Sequence, residues 1–75
     1  MALRLYFLRH GRAVSRAAWR GDDGLRPLTP EGEAALAREA ATIAAMDLGL
    51  AAVVASPLER ARRTGEIVAA PLDGV

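Results

Sequence analysis

The sequence predicts an α/β fold with a mostly parallel sheet, in the order strand, helix, strand, helix. Two apolar runs, residues 3–8 and 51–55, have the composition of strands, and helical spacing follows each of them. A strand-helix-strand unit is right-handed in nearly all known cases, and its two strands are parallel. The carboxyl ends of both strands would therefore share the sheet edge at which α/β proteins bind ligands.

The first predicted strand alternates large apolar side chains and stops near Gly11, so it delivers Arg9 and His10 into a loop. His10 is the only histidine of the chain. Residues 9–28 show little periodicity and are expected to form an irregular rim beside the site. In this rim Trp19 either contacts substrate or packs over the core, and Asp22 and Asp23 are interpreted as turn residues.

The first helix is predicted from Thr29 to about residue 46. Thr29 can cap it, and Pro30 suits the first helical position. The helical spacing predicts an inward face, which comprises Leu36, Ala40, Ile43 and Ala44. Residues 47–49 are expected to end the helix.

The second helix is predicted to follow the strand over residues 51–55 and to run to about Ala69. Ser56, Pro57 and Glu59 have the spacing of a capping box, with Ser56 as the N-cap. Arg60 then lies in the first turn of the helix. The predicted inward face comprises Leu58, Ala61, Gly65 and Val68.

Charge and composition exclude several classes of function. The formal net charge is +1, with ten arginines against nine acids, which argues against a nucleic-acid-binding surface. The chain has no cysteine, so it has neither disulfides nor a thiolate metal site. The N-terminal apolar run is too short for a signal peptide and no membrane span is found, so a cytoplasmic protein without a membrane partner is expected.

The two predicted strand ends place cationic groups around one anion site. Backbone N–H groups and the helix dipole attract anions to helix N-termini. Arg9 and Arg60 would add two guanidinium groups, each able to form two hydrogen bonds to a phosphoryl group. His10 is the candidate nucleophile, although a histidine that only bonds a loop carbonyl is the alternative. The residues expected to bind substrate are Arg9, Gly11, Trp19, Ser56 and Arg60.

Three motifs resemble the histidine phosphatase superfamily, with its phosphoglycerate-mutase-like fold. They are Arg9-His10-Gly11 after a strand, the segment 56–61 before a helix, and the segment 26–32. The segment 26–32 is most similar to SixA-type phosphohistidine phosphatases. The resemblance implies a three-layer fold with a mostly parallel sheet, transient phosphorylation of His10, phosphoryl oxygens held by Arg9 and Arg60, and no metal or other cofactor.

The chain departs from the family pattern in one respect. Members complete the pocket with a second histidine and, in many cases, an acid, both from a later half of the domain that residues 1–75 lack. The chain is therefore expected to be a single partial domain, the N-terminal half. Alone, it would expose a sheet edge and self-associate, or it would form part of a larger folded unit.

Three functions agree with these residues. The first is removal of phosphate from phosphohistidine on a protein partner. The second is hydrolysis of small phosphorylated metabolites, which would use the same residues with a different rim. The third is an inactive module that binds phosphate without turnover.

Overall fold

A computed structural model describes residues 4–72, in which two α-helices pack against each other beside a long loop. Helix α1 comprises Pro30–Ala45 and helix α2 comprises Glu59–Ala69. One turn of 3-10 helix, Asp23–Leu25, lies in the loop before α1. The helices, and not a sheet, determine where the candidate site residues lie.

The predicted sheet is wrong for this structure. No strand is present in residues 4–72, and strand-like pairing there is limited to one isolated antiparallel bridge between Ala13 and Leu28. The prediction of a β-α-β-α partial domain with a mostly parallel sheet and three layers is therefore overturned. Leu3, at the start of the first predicted strand, lies outside the described residues.

The reason is that an apolar run indicates which side chains favour burial but does not supply a pairing partner. A strand requires a ladder of backbone hydrogen bonds to a neighbour. Over residues 4–8 and 51–55 no such ladder forms, and most of the large side chains remain in solvent. Phe7 is 93% exposed and Val54 is 94% exposed.

Helix α1 confirms its prediction closely. The hydroxyl of Thr29 accepts a hydrogen bond from the Gly32 N–H at 2.9 Å, as an N-cap residue should. Of the predicted inward face, Leu36 and Ala40 are buried, each only 2% exposed, whereas Ile43 and Ala44 are half-buried. The chain leaves the helix through two positive φ angles, 51° at Asp47 and 67° at Gly49, which ends α1 where the sequence predicts.

Helix α2 ends at Ala69 as predicted, but it begins after Leu58 and not after Ser56. The predicted capping box is therefore wrong. The Ser56 hydroxyl accepts from the Leu58 N–H at 3.3 Å, a local turn that serine forms readily outside helices. Glu59 accepts from Arg62 at 2.8 Å, because a charged partner competes well with a backbone N–H.

The buried face of α2 also differs from the prediction. Of the four residues expected inside, only Val68 is buried, and Leu58 is 37% exposed. The buried residues are Arg60, Thr64, Ile67 and Val68. Two polar residues are buried because they bond to the loop, an arrangement that a hydrophobic pattern cannot indicate.

Residues 11–14 cross the N-terminal turn of α1 in close contact. The Arg12 carbonyl accepts from the Thr29 N–H at 2.9 Å, and the Val14 N–H donates to the Pro27 carbonyl at 2.9 Å. At Gly32 the backbone of Arg12 occupies the space that a Cβ would need. Glycine at this helical position therefore permits the crossing.

The apolar core is small and lies between the two helices and the end of the loop. It comprises Leu28, Leu36, Ala40 and Ile67. Neither helix within residues 4–72 has the length and apolar character needed to cross a membrane.

Gly32→Ala should destabilise the chain, because the added methyl group would collide with the Arg12 carbonyl. We expect a loss of about 1–3 kcal/mol in the free energy of unfolding, measured by urea denaturation with circular dichroism. Gly21→Ala is the matched control, since a Cβ there meets the Trp19 ring at ordinary contact distances of 3.5 Å and more. Equal stability of the two variants would contradict the crossing.

Candidate active site

One chain of hydrogen bonds joins the Arg9-His10-Gly11 motif to helix α2. The Gly11 N–H donates to the Thr64 hydroxyl at 3.1 Å, and that hydroxyl donates to the Arg60 carbonyl at 2.7 Å. Gly11 also packs closely on α1. A Cβ at this position would lie only 2.5 Å from Cδ1 of Leu36. The motif is thus held between both helices, next to the first turns of α2.

His10 is exposed, and its ring orientation is defined by the backbone. The Nδ1 atom lies 2.8 Å from the Gly11 carbonyl oxygen. A carbonyl oxygen only accepts, so Nδ1 carries the proton of the neutral ring and Nε2 carries the lone pair. A neutral imidazole with a free Nε2 is able to attack an electrophile, and Arg9, also exposed, precedes it in the chain.

Arg60 is almost enclosed, with 7% of its surface exposed. Nη1 donates to the backbone carbonyl of Asp23 at 2.9 Å, and Nη2 donates to the carboxylate of Asp23 at 3.2 Å. The sequence predicts Arg60 as a ligand of a phosphoryl group. In this structure its guanidinium is bound to Asp23.

Asp23 interacts with three arginines. Its carboxylate lies 2.9 Å from Arg26, 3.2 Å from Arg60 and 3.9 Å from Arg16. The hydrogen bond from Arg26 is the largest influence that lowers the pKa of Asp23. Partial loss of hydration opposes this lowering, and the charges of Arg26, Arg60 and Arg16 add to it.

Sequence reasoning interpreted Asp23 only as a turn residue and missed its pairing with Arg60. Asp23 does begin the 3-10 turn, capped by the Asp22 carboxylate, which accepts from the Gly24 N–H at 2.9 Å. The spacing of Asp23 and Arg26 was a local signal for their ion pair. The contact with Arg60, 37 positions away, had no comparable signal.

Trp19 and Ser56 were predicted as weaker substrate ligands. The Trp19 indole donates to the Asp22 carbonyl at 2.9 Å and is half-buried, so it supports the turn that carries Asp23. Ser56 is exposed in the turn before α2. A role for either residue in binding substrate stays a prediction.

The other arginines of α2 form ion pairs, as their spacing indicates. Arg62 bonds both Glu59 and Glu66, and the hydrogen bond from Arg62 lowers the pKa of Glu59. Arg63 lies 3.5 Å from Glu66 and also reaches Glu33 of α1 at 2.9 Å, a contact between helices that was not predicted. Such exposed pairs contribute little stability individually.

Residues 4–72 contain no group of three or more metal-ligating side chains placed to hold an ion. The site residues themselves offer an imidazole, guanidinium groups and the carboxylate of Asp23.

Thr64→Val should leave the Gly11 N–H without its partner and lower stability by about 1–3 kcal/mol. Thr42→Val is the matched control, because the Thr42 hydroxyl makes the same type of bond to the carbonyl four residues earlier but lies exposed on α1. Urea denaturation of both variants measures the difference. Equal losses would mean that the bond to Gly11 contributes nothing.

Asp23→Asn should change how stability depends on pH. Because the folded-state pKa of Asp23 is lowered, the ionised carboxylate stabilises the fold above its unfolded-state pKa, and this contribution is lost as the pH falls through the folded-state value. The stability difference between wild type and variant should be constant from about pH 5 to 7 and shrink below about pH 4. Denaturation over this range measures it, and a difference that grows in acid would contradict the ion pair.

The comparisons with known proteins agree with the motifs. The histidine phosphatase superfamily (branch 1) matches over residues 5–75. An uncharacterized protein of Picosynechococcus sp. is 44% identical over 68 residues, which make up 91% of this chain and 41% of that protein. The chain therefore spans less than half the length of this relative. Since the family match covers nearly the whole chain, including Arg9, His10 and Arg60, the chain belongs to the histidine phosphatase superfamily, branch 1.

Proposed function

We propose that this chain supplies the phosphoryl-accepting residue of a phosphohistidine phosphatase, with His10 as the nucleophile and a phosphorylated histidine of a protein partner as substrate. Membership of the histidine phosphatase superfamily supports phosphatase chemistry. The observation that carries the choice of residues is the hydrogen-bonded link from Gly11 through Thr64 to Arg60. It ties the loop that bears His10 to the helical turn that bears Arg60.

The reaction has two steps. In the first, Nε2 of His10 attacks the phosphorus atom, the P–N bond to the partner's imidazole breaks, and that imidazole keeps the electron pair and takes up a proton from the solvent. In the second, water attacks the phosphorus on His10, the new P–N bond breaks with its electron pair returning to Nε2, and inorganic phosphate leaves with the water's oxygen and one of its protons while the other proton passes to the solvent. Arg9 and Arg60 stabilise the charge on the phosphoryl oxygens, which is the main form of catalysis in phosphoryl transfer.

Two features favour phosphohistidine over a phosphate ester. His10 and Arg9 are exposed, so a phosphorylated side chain on a protein surface can reach them without entering a closed cavity. The substrate's imidazole ring, whose pKa is about 6.5, can carry a proton on its second nitrogen and leave as neutral imidazole, so it requires less help from an acid than an alkoxide does. This matters because the carboxylate beside Arg60, Asp23, has a lowered pKa and is ionised at neutral pH, so it does not donate a proton.

Incubation with a protein that carries radioactive phosphohistidine should transfer an acid-labile label to the chain. Because His10 is the only histidine, such a label can lie on no other imidazole, and His10→Ala should abolish it. Arg60→Ala should slow labelling by about 100- to 1000-fold, as expected for loss of a group that stabilises transition-state charge. Arg38→Ala is the control, because Arg38 is an exposed arginine of α1, and it should label at the wild-type rate.

The rate from a radioactive phosphate monoester is measured in parallel. Faster labelling from the phosphohistidine protein supports the proposed substrate, whereas equal or faster labelling from the ester would assign the site to small phosphorylated metabolites. A chain that labels from neither donor would contradict the proposed function altogether.

A further inference from the structure

We propose that Asp23 is a built-in competitor for the phosphoryl site. Its carboxylate occupies Arg60 in the free protein, is displaced when a phosphoryl group binds, and returns as inorganic phosphate leaves. The inference rests on the proposed function in one respect, namely that Arg60 holds phosphoryl oxygens. It assigns to Asp23 a positioning role that neither the motifs nor the family match provides.

The first support is the occupancy of Arg60. Both terminal nitrogens of its guanidinium bond to Asp23, and only 9% of the Arg60 side chain is exposed. Both terminal nitrogens of Arg60 are therefore already hydrogen-bonded before an anion arrives. Binding of a phosphoryl group through these nitrogens requires at least one of the two contacts to break.

The two contacts differ in how easily they can be exchanged. The bond to the backbone carbonyl of Asp23 is part of a fixed turn, held by the Asp22 cap and by Arg26, which donates to the Val14 carbonyl at 2.8 Å. The bond to the carboxylate depends on a side chain that is 51% exposed. The carboxylate can turn toward water while the carbonyl keeps Arg60 in place.

The charges around Asp23 favour replacement of its carboxylate on Arg60 by a phosphoryl group. Three guanidinium groups, those of Arg16, Arg26 and Arg60, lie within 3.9 Å of the single negative charge of Asp23. The cluster therefore keeps a net charge of two positive units. A dianion such as a phosphoryl group is attracted to this excess, and Arg16 and Arg26 can retain the displaced carboxylate.

The same arrangement aids release of product. Once water has freed inorganic phosphate, the Asp23 carboxylate is still bound to the turn beside Arg60 and competes for it at a high effective concentration. Asp23 therefore weakens the binding of inorganic phosphate while keeping the guanidinium oriented between turnovers.

The test is the affinity of the full chain for inorganic phosphate at pH 8, measured by isothermal titration calorimetry. Asp23→Asn keeps the shape and the backbone carbonyl but removes the competing charge, so it should bind phosphate about tenfold more tightly than wild type, as for the loss of one charge-assisted bond to a competitor. The gain should be smaller for the monoanion dimethyl phosphate, because its Coulomb energy with the removed charge is half as large. Asp47→Asn, the same change at the opposite end of α1, should leave the affinity unchanged.

Arg60→Ala separates failure of this inference from failure of the proposed function. If Arg60→Ala loses phosphate binding but Asp23→Asn weakens it or leaves it unchanged, Asp23 is no competitor, while the assignment of Arg60 stands. If wild type does not bind and Asp23→Asn does, the competition is confirmed in its strongest form. If none of these proteins binds phosphate, the phosphoryl site and this inference both fail.

A measurement on the wild-type chain covers the case in which Asp23→Asn does not fold. In a phosphate titration followed by NMR, the amide signals of residues 22–26 and the guanidinium signals of Arg60 should shift with one midpoint. Signals of residues 22–26 that stay fixed while Arg60 shifts would overturn the displacement of Asp23.

Discussion

The structure depends on the close contact of one backbone segment with both helices. Gly11 lies against Leu36 of α1 and donates to Thr64 of α2, and Arg12 crosses α1 where Gly32 leaves room for it. These contacts orient the loop of His10 through bonds between backbone and side chain, in place of the strand ladder that the sequence suggested. The small residues of the motifs are therefore needed for packing as well as for chemistry.

How much could be predicted from the sequence depends on how far apart in the chain the interacting residues lie. Helix α1 was predicted because Thr29 and Pro30 act within one turn. The strands were predicted wrongly because an apolar run, alternating at 3–8 and continuous at 51–55, does not specify a pairing partner, and no ladder forms in residues 4–72. The family was recognised from three short motifs in a fixed order, Arg9-His10-Gly11 and the segments 26–32 and 56–61, and the family match confirms it although the predicted strands are wrong.

The same reasoning explains why the buried face of α2 and the role of Asp23 were missed. A hydrophobic pattern places alanine, glycine and leucine inward, but Arg60 and Thr64 are buried because their polar groups find partners on a distant loop. Conversely, the apolar side chains of Phe7 and Val54 remain exposed although a hydrophobic pattern would place them inside. Self-association through that apolar surface stays a prediction from the sequence, since the described residues carry no contact that tests it.

Burial of Arg60 places a physical requirement on any function of the site. A guanidinium removed from water needs hydrogen-bonding partners at all times, because an unpaired buried charge is strongly destabilising. In the free chain Asp23 meets this need with its carbonyl and its carboxylate. A phosphoryl oxygen is an equivalent acceptor, so it can replace the carboxylate while the carbonyl bond remains, with little net change in the number of bonds to Arg60. A site built in this way can bind an anion and release it without leaving the arginine unpaired at either stage.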